Sequence, residues 1–443
     1  MWEKAIVIGG GFAGKLAAKA LSSYFQQVNI LEADREYKDP VPRKRVPQSY
    51  QPHVLLKSGE EAIEKLLPQF TVELMENGSI GSNFTRDLKW HHFGFWKDRF
   101  TGDLNMVQQS RPLLEWHLRK RIDQVSNITT RYETMTKQLI VNRKENKVLG
   151  VRVKSIKTGI EEELYADLVV DASGFGSKSI DWLKTFGVEV KEEKVWIQLF
   201  YATRLYRLKH QERLDWTNLL ISPSFPENPK GAYIQTIEED RFSFTVSGYV
   251  NEYAPQTNEE FFAYAQSLPV PDLVNFLNHA EPISDIKIHR IPYQVRRRFD
   301  LAKQIPEGFL IIGDAHCRFD PLFGQGISVA AMEALELQSC LQQSKRLDIE
   351  FTRRFHKKVA KLIATPWDMA ITEAFRHPKI KGKNSFLLPL KHWYTKRLYQ
   401  ASAHDPYVYI TLARVMNLIR TPLYLFHPKV VIPIVFGWQK KKD

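Results

Sequence analysis

Three glycines, Gly9, Gly11 and Gly14, follow directly on the apolar run Lys4-Ala5-Ile6-Val7-Ile8, in G-x-G-x-x-G spacing. The first permits a tight turn, the second lets a pyrophosphate approach the backbone, and the third lets a helix pack on the strand. Ala17, Ala18, Ala20 and Leu21 continue as a helix. Glu32 closes the next strand, Val28 to Leu31, eighteen positions after Gly14. That is the reach at which a carboxylate takes ribose hydroxyls. A second cluster runs from Gly308 to Leu337. Phe309 to Ile312 has the length of a buried strand, Gly313-Asp314 ends it, and Gly324-Gln325-Gly326 leads into a small-residue helix. Such a turn presents free N–H groups and the positive end of the helix dipole. An acidic side chain at the strand's end accepts hydrogen bonds from a polyol. The pair suits a ligand with sugar hydroxyls, a pyrophosphate and an electron-rich ring that gains negative charge on reduction. Either cluster alone also fits an ordinary strand-turn-helix unit.

A flavin dinucleotide meets both demands, one cluster taking its ADP half and the other its ribityl-flavin half. With these residues the sequence resembles the FAD-dependent monooxygenases related to para-hydroxybenzoate hydroxylase. Their late motif, roughly G-D-A-A-H-x-x-x-P-x-x-G-Q-G, is matched by Gly313-Asp314-Ala315-His316, Pro321 and Gly324-Gln325-Gly326, one residue off in places. Arg43 to Leu56, Ser110 to Leu114 and Asp171 to Ser177 support the resemblance, which runs to about residue 380 and is nearest to bacterial flavin epoxidases and hydroxylases of large apolar substrates. It implies an α/β fold: a Rossmann-like FAD-binding domain of three-layer ββα type, an inserted antiparallel β-sheet substrate domain and a C-terminal helical module. The expected limits are 1–85, 105–185 and 300–345 for the first, 86–104 and 186–299 for the second, and 346–443 for the third.

The resemblance also implies roles. Gly9, Gly11, Gly14, Glu32, Arg43, Arg111 and Asp314 are expected to bind FAD, with Asp314 on the ribityl chain. Arg43 reads equally as a solvated residue of a basic loop with Lys44 and Arg45. The N–H groups around Gly324, Gln325 and Gly326 are expected at the flavin N1–C2=O edge, and Pro321 at the ring face where oxygen adds. His316 is left outside catalysis. Where the superfamily often has Asp-Gly this chain has Ser173-Gly174, which weakens the case for direct use of NADPH. The implied activity is insertion of one oxygen atom from O₂ into a hydrophobic organic substrate, by hydroxylation or epoxidation, through a flavin C4a-hydroperoxide. Electrons come from NAD(P)H or a separate reductase, since no second dinucleotide motif occurs. Three alternatives stand beside it. Flavin-dependent halogenases share a segment similar to Phe319-Asp320-Pro321-Leu322-Phe323, but their W-x-W-x-I-P motif has no match here. Prenyl-lipid reductases of the geranylgeranyl type, and non-catalytic escort proteins of the GDP-dissociation-inhibitor type, share the fold.

Composition bounds the remainder. The 443 residues suffice for two or three domains, and 43% hydrophobic with 26% charged residues is ordinary for a globular protein. The chain opens in its nucleotide-binding strand and has no run of about 18 apolar residues, so neither a signal peptide nor a membrane span is expected. Two cysteines, Cys317 and Cys340, leave no disulfide framework and point to a reducing cytoplasm. No Cys or His cluster has metal-ligand spacing, and neither a metal nor a nucleic-acid partner is expected.

Aromatic, strand-like segments occupy Asp87 to Arg99, Val195 to Leu208 and Gly231 to Val250. They are expected to roof the flavin and line the substrate cavity. A helix over 346–363 should pack beneath the FAD domain. Of the net charge of +13, residues 379–443 carry +10. That region also holds an apolar stripe (Val408, Leu412, Val415, Ile419) after the helix start Asp405-Pro406, and an aromatic-aliphatic segment ending at Trp438 before three lysines. Two readings stand: peripheral contact with the inner face of a membrane through 404–443, or a helix packed on the FAD domain with a solvated basic tail.

Overall fold

The computed structural model describes residues 1–210 and 214–436. A five-stranded parallel sheet carries the nucleotide end. Trp2–Ile8 lies at its centre, flanked by Phe25–Leu31 and Leu168–Asp171, with Ile128–Arg131 and Phe309–Ile311 at the edges. Ala5–Ile8, Leu168–Val170 and Phe309–Ile311 read as unbroken apolar runs because both faces are covered there. Ala5, Val7, Val28 and Val170 enter a core shared with the helices Phe12–Ser22 and Gln325–Gln342. Ile6, Ile8, Val169 and Ile311 face the other way, onto the antiparallel sheet of Thr134–Asn142, Lys147–Ser155 and Glu161–Tyr165. Sheet, sheet and helices make the three layers that the resemblance implies.

The aromatic segments meet in a nine-stranded sheet whose long strands are Glu192–Leu208, Arg241–Gly248, Lys230–Ile237 and Lys287–Arg297. The sequence suggests a purely antiparallel sheet, and one pair departs from it: Asn218–Ile221 runs parallel to Leu88–His92. These strands belong to different excursions of the chain, so no hairpin dictates their direction. Asp87 to Arg99 is two strands rather than one. Phe93 and Gly94 both take positive φ, +49° and +83°, and make the two-residue reversal that pairs His92 with Phe95. Glu239 and Asp240 likewise turn the chain between Lys230–Ile237 and Arg241–Gly248.

The helix expected over 346–363 spans Ile349–Ala374. Asp348 caps it through the N–H of Phe351, at 3.0 Å. Pro366 does not end it, because Trp367, Ala370 and Ala374 keep burying apolar surface beyond that point. After it come the helices Leu388–Ala401, Pro406–Met416 and Pro428–Phe436. They share a core with the nine-stranded sheet through Trp90, Leu398, Tyr399, Val408, Leu412 and Ile434. The stripe Val408, Leu412, Val415 is therefore interior packing, and its helix ends at Met416, before Ile419. Trp438 and the three lysines after it lie outside the described residues.

Candidate active site

Gly9 sits at φ +96°, with its N–H on the carbonyl of Leu31 at 2.8 Å. A Cβ there would stand 2.6 Å from the Ala172 carbonyl oxygen, and one on Gly14 would stand 1.8 Å from that of Gly9. These two glycines serve the turn itself. Gly11 differs: it caps the Phe12–Ser22 helix without a side-chain acceptor, and a Cβ would meet only Arg43 Nη2, at 3.8 Å. The helix's first N–H groups thus face room for a ligand.

Around this opening lies a buried chain of charge. Glu32 Oε2 accepts from Gly10 N at 3.0 Å and Arg43 Nη1 at 3.1 Å, while Oε1 accepts from Asp34 N at 2.8 Å. These three donors orient the Glu32 carboxylate and leave one of its roughly four acceptor sites unused. Arg43 is no solvated loop residue: it is 7% exposed and also pairs with Glu115 at 3.2 Å. Glu115 in turn holds Arg111 at 2.7 Å, and Arg111 Nη1 meets His53 Nε2 at 2.8 Å. Arg111, Arg43 and Lys15 together keep the Glu115 carboxyl down at about 2 despite burial. Lys15, bonded to the Gly10 carbonyl, is lowered to about 8 by burial and then by Arg43. Sequence reasoning found Arg43 and Arg111 but missed Lys15, Glu115 and His53. Lys15 follows Gly14 directly, yet nothing in its spacing separates it from an ordinary helix-surface lysine.

The second cluster forms the opposite wall. Asp314 follows the strand Phe309–Ile311, and no described residue donates a hydrogen bond to its carboxylate. Burial raises its pKa, against the pull of Arg318, Arg111 and Arg297. Arg297 fixes the turn by donating to the carbonyls of Asp314 (3.1 Å) and Ala315 (2.8 Å). Glu333 accepts from Gly313 N at 2.6 Å, and burial pushes its carboxyl up to about 8, so it stays protonated near neutrality. His316 is fully buried with neither ring nitrogen partnered and is held neutral, as befits packing.

Pro321–Phe323 is a single 3₁₀ turn ended by Gly324 at φ +63°, and helix Gln325–Gln342 starts there with no side-chain cap. Asp320 anchors the turn: it accepts from Leu322 N at 2.9 Å and from the Tyr249 hydroxyl at 3.0 Å. Space around Gly326 is open, and the buried Gln325 side chain has no partner on either Nε2 or Oε1. The two clusters therefore offer backbone N–H donors at a helix start with room before them, a free carboxylate acceptor, an uncapped helix and an orphaned amide. That donor and acceptor set fits FAD.

Pro321, Leu322, Phe323 and Gly324 also form one wall of a cavity of about 150 Å³. Of the twelve Phe, Trp and Tyr residues in the segments expected to roof the flavin, Trp90, Tyr201 and Tyr233 reach it. Its described lining contains no Asp, Glu, Lys, Arg or His. Its polar groups form a short chain: Tyr233 OH donates to Asn218 Oδ1 at 2.7 Å, and Asn218 Nδ2 to Gln108 Oε1 at 2.5 Å. Gln108 Nε2 and Gln235 Oε1, on side chains 7% and 1% exposed, have no partner. Gln235 Nε2 donates to the His53 carbonyl at 3.4 Å, which links the cavity to Arg111. Among the described residues no group of three or more His, Cys, Asp or Glu could hold a metal ion.

No protein-family model matches the chain. It is 28% identical over 405 residues to Protein Rv3254 of Mycobacterium tuberculosis, covering 88% of this chain and 83% of that one. Two solved structures extend the comparison. PqsL, a probable FAD-dependent monooxygenase from Pseudomonas aeruginosa, superposes with a TM-score of 0.64 at 17% identity, over 84% of this chain and 95% of its own. The myxobacterial chondrochloren halogenase CndH does so at 0.64 and 16%, over 100% and 99%. The fold is that of the flavin-dependent monooxygenases and halogenases. The C-terminal helices lie within it, since CndH is matched along the whole chain.

Proposed function

We propose that this protein is an FAD-dependent monooxygenase acting on an uncharged, largely apolar substrate. The observation that carries the reading is the turn Pro321–Gly324, which walls an uncharged cavity on one side and starts the uncapped Gln325–Gln342 helix on the other. Bound FAD supplies the redox chemistry and the transfer of one oxygen atom from O₂.

The chain supplies the setting. The N–H groups after Gly11, with Lys15 and Arg43 close by, hold the pyrophosphate; Glu32 uses its remaining acceptor site on ribose; Asp314 accepts from the ribityl hydroxyls. The N–H groups of Gly324 to Gly326, at the helix N-terminus, would face the ring edge and favour negative charge there. Pro321, Leu322 and Phe323 keep water from the reacting face. No acid or base side chain lines the cavity, so selection works by shape, apolar contact and the two free amide atoms. Gln108 Nε2 offers a donor and Gln235 Oε1 an acceptor, which suits one hydroxyl or carbonyl on an otherwise apolar body. A space of about 150 Å³ takes roughly one benzene-sized ring. A larger substrate must extend beyond it.

The test follows the purified protein through one cycle. Reduction with NADPH alone, under anaerobic conditions, distinguishes direct use of the nicotinamide from a separate reductase. Oxygen is then admitted with and without bromide, in the presence of a neutral aromatic alcohol. An oxygenated product independent of halide supports the proposal. A halogenated product assigns the chain to the halogenases, and a reduced double bond formed without O₂ to the prenyl-lipid reductases. A colourless protein that binds no FAD leaves only the escort reading.

A further inference from the structure

We propose that the outer face of the C-terminal helices docks on an anionic lipid surface. Large apolar side chains exposed by more than half are scattered singly over most of the molecule, as at Ile160, Tyr253 and Leu301. Between residues 386 and 436 they gather: Phe386 (90%), Leu390, Leu423, Phe426, Ile432 and Phe436 (79%). Clustered exposure of this kind marks a surface built to be covered.

These residues belong to one body. Leu390, Trp393 and Arg397 recur at i, i+3 and i+7 along the outer side of helix Leu388–Ala401. Arg397 lies over the Trp393 ring at 5.2 Å and donates to the carbonyl of Ile434 at 3.1 Å, joining this helix to Pro428–Phe436. Tyr394 stacks on Phe426 at 5.1 Å and donates to the carbonyl of Leu425, joining it to the 3₁₀ turn Pro422–Phe426. The inner side of the same body is fully used. Leu398, Val408, Leu412, Val430 and Ile434 pack on Leu88 and Trp90 of the nine-stranded sheet. One apolar face closes the fold and the other remains uncovered.

Charge selects the occupant. Lys381, Lys383, Arg397, Arg420 and Lys429 are all exposed here, with Arg420 over Tyr424 at 4.9 Å and Lys429 over Tyr407 at 5.5 Å. The sole carboxylate side chain between residues 379 and 436 is Asp405, which caps helix Pro406–Met416 through the N–H groups of Tyr407 and Val408. Acids from the rest of the chain pair with Lys391 (Asp368), Lys396 (Glu227) and Arg414 (Asp103), whereas Arg397, Arg420 and Lys429 have no carboxylate partner among the described residues. Apolar and aromatic side chains ringed by cations match an acyl boundary beneath anionic headgroups. A second copy is disfavoured, because a two-fold contact would set a face carrying the unpaired cations Arg397, Arg420 and Lys429 against the same face. No described helix is long and apolar enough to cross a membrane, so the contact is peripheral. The anchor is not the stripe Val408 to Val415, which is interior. The same helix ends in Met416 and Asn417, which line the cavity, so the docking body reaches the substrate wall. The inference stands on surface geometry and charge and does not depend on the flavin reading.

The experiment is co-sedimentation of the full-length protein with vesicles of phosphatidylcholine alone or mixed with phosphatidylglycerol, at low and high salt. Binding is expected on the mixed vesicles and should weaken with salt. Phe386→Ser combined with Phe436→Ser should lower the apparent affinity by about a hundredfold, since each buried aromatic contributes about tenfold. Lys381→Ser or Lys383→Ser should lower it by roughly fivefold each. All four side chains are exposed, so the variants keep the fold, which far-ultraviolet circular dichroism verifies. Protein that stays in the supernatant with every vesicle overturns the proposal, even if it binds an acidic protein instead. So does binding that survives the double aromatic substitution, or that is equal on neutral vesicles and indifferent to salt.

Discussion

Arg111 Nη1 and His53 Nε2 stand 2.8 Å apart in the interior. A guanidinium has no acceptor, so this ring nitrogen carries a lone pair, and the proton sits on Nδ1, which faces the Gln51 carbonyl at 2.9 Å. Burial, then Arg111, hold the His53 pKa near 3, and the contact does not titrate in the neutral range. On its other side Arg111 pairs with Glu115, which also holds Arg43. A continuous polar path thus runs from Glu32 at the dinucleotide turn to Gln235 in the cavity wall.

That path sets an order of severity. Arg111→Met leaves a buried carboxylate short of one partner and should cost about 3–5 kcal/mol of stability. His53→Ala removes one neutral acceptor from a charged donor and should cost about 1.5–3 kcal/mol. Urea unfolding of both variants measures the difference. Equal losses would mean that the two residues act independently of Glu115.

Gly11→Val should yield a folded but colourless protein. The added Cβ meets only the end of Arg43, at an ordinary contact distance of 3.8 Å, whereas the side chain would occupy the space that a pyrophosphate needs. Gly9→Val and Gly14→Val cannot give this answer, because backbone atoms stand within 2.6 Å and 1.8 Å of the new Cβ and the turn itself must break. Flavin absorbance and the unfolding midpoint, read together, separate a blocked site from a broken one. Full flavin occupancy in Gly11→Val would remove the pyrophosphate from this helix.

Both nucleotide elements were legible because their constraints are local. A strand, a glycine turn and a helix occupy a dozen consecutive residues, and each glycine answers to one close approach. The side chains around them were legible only by resemblance. Lys15, Glu115 and His53 join the site through tertiary contacts, and Glu115 looks like any helix-surface acid until Arg43 and Arg111 close on it. The cavity's amides, Gln108 and Gln235, stand on strands that meet only in the folded sheet. The stripe Val408 to Val415 left two readings open for a related reason. Amphipathic spacing says that a helix has an apolar face, and it cannot say whether that face meets lipid or the protein's own sheet.

Asp314→Ala should weaken FAD binding ten- to a hundredfold. The carboxylate has no protein donor to lose, so its removal leaves no unpaired partner behind, and the change isolates a charge-assisted bond worth about 1.5–3 kcal/mol to the ligand. Stability of the flavin-free protein should hold or rise slightly, because burial already disfavours the ionised form. Fluorescence titration with FAD measures the affinity. An unchanged dissociation constant would sever Asp314 from the ribityl chain.

Glu333 should make the fold lose stability as pH rises. Its carboxyl is fully buried and raised to about 8 from 4.5, with burial the largest cause and Asp314 adding to it; the N–H of Gly313 pulls the other way. Below the unfolded value both states hold the proton, and the contribution is complete. Between the two values the folded state keeps the proton that the unfolded state releases, so stability falls by about 1.4 kcal/mol per pH unit. Above about 8 the loss is finished. Asp320, raised to about 6 by burial, slopes the same way over a narrower range, so the decisive quantity is the difference between wild type and Glu333→Gln. Glutamine keeps an acceptor for Gly313 and has no proton to lose. Thermal unfolding from pH 5 to 9 should find the two proteins converging at the acid end and Glu333→Gln ahead by several degrees at the alkaline end. Parallel curves would place the Glu333 proton in the unfolded state as firmly as in the folded one, and the buried carboxyl would then have no part in the pH dependence.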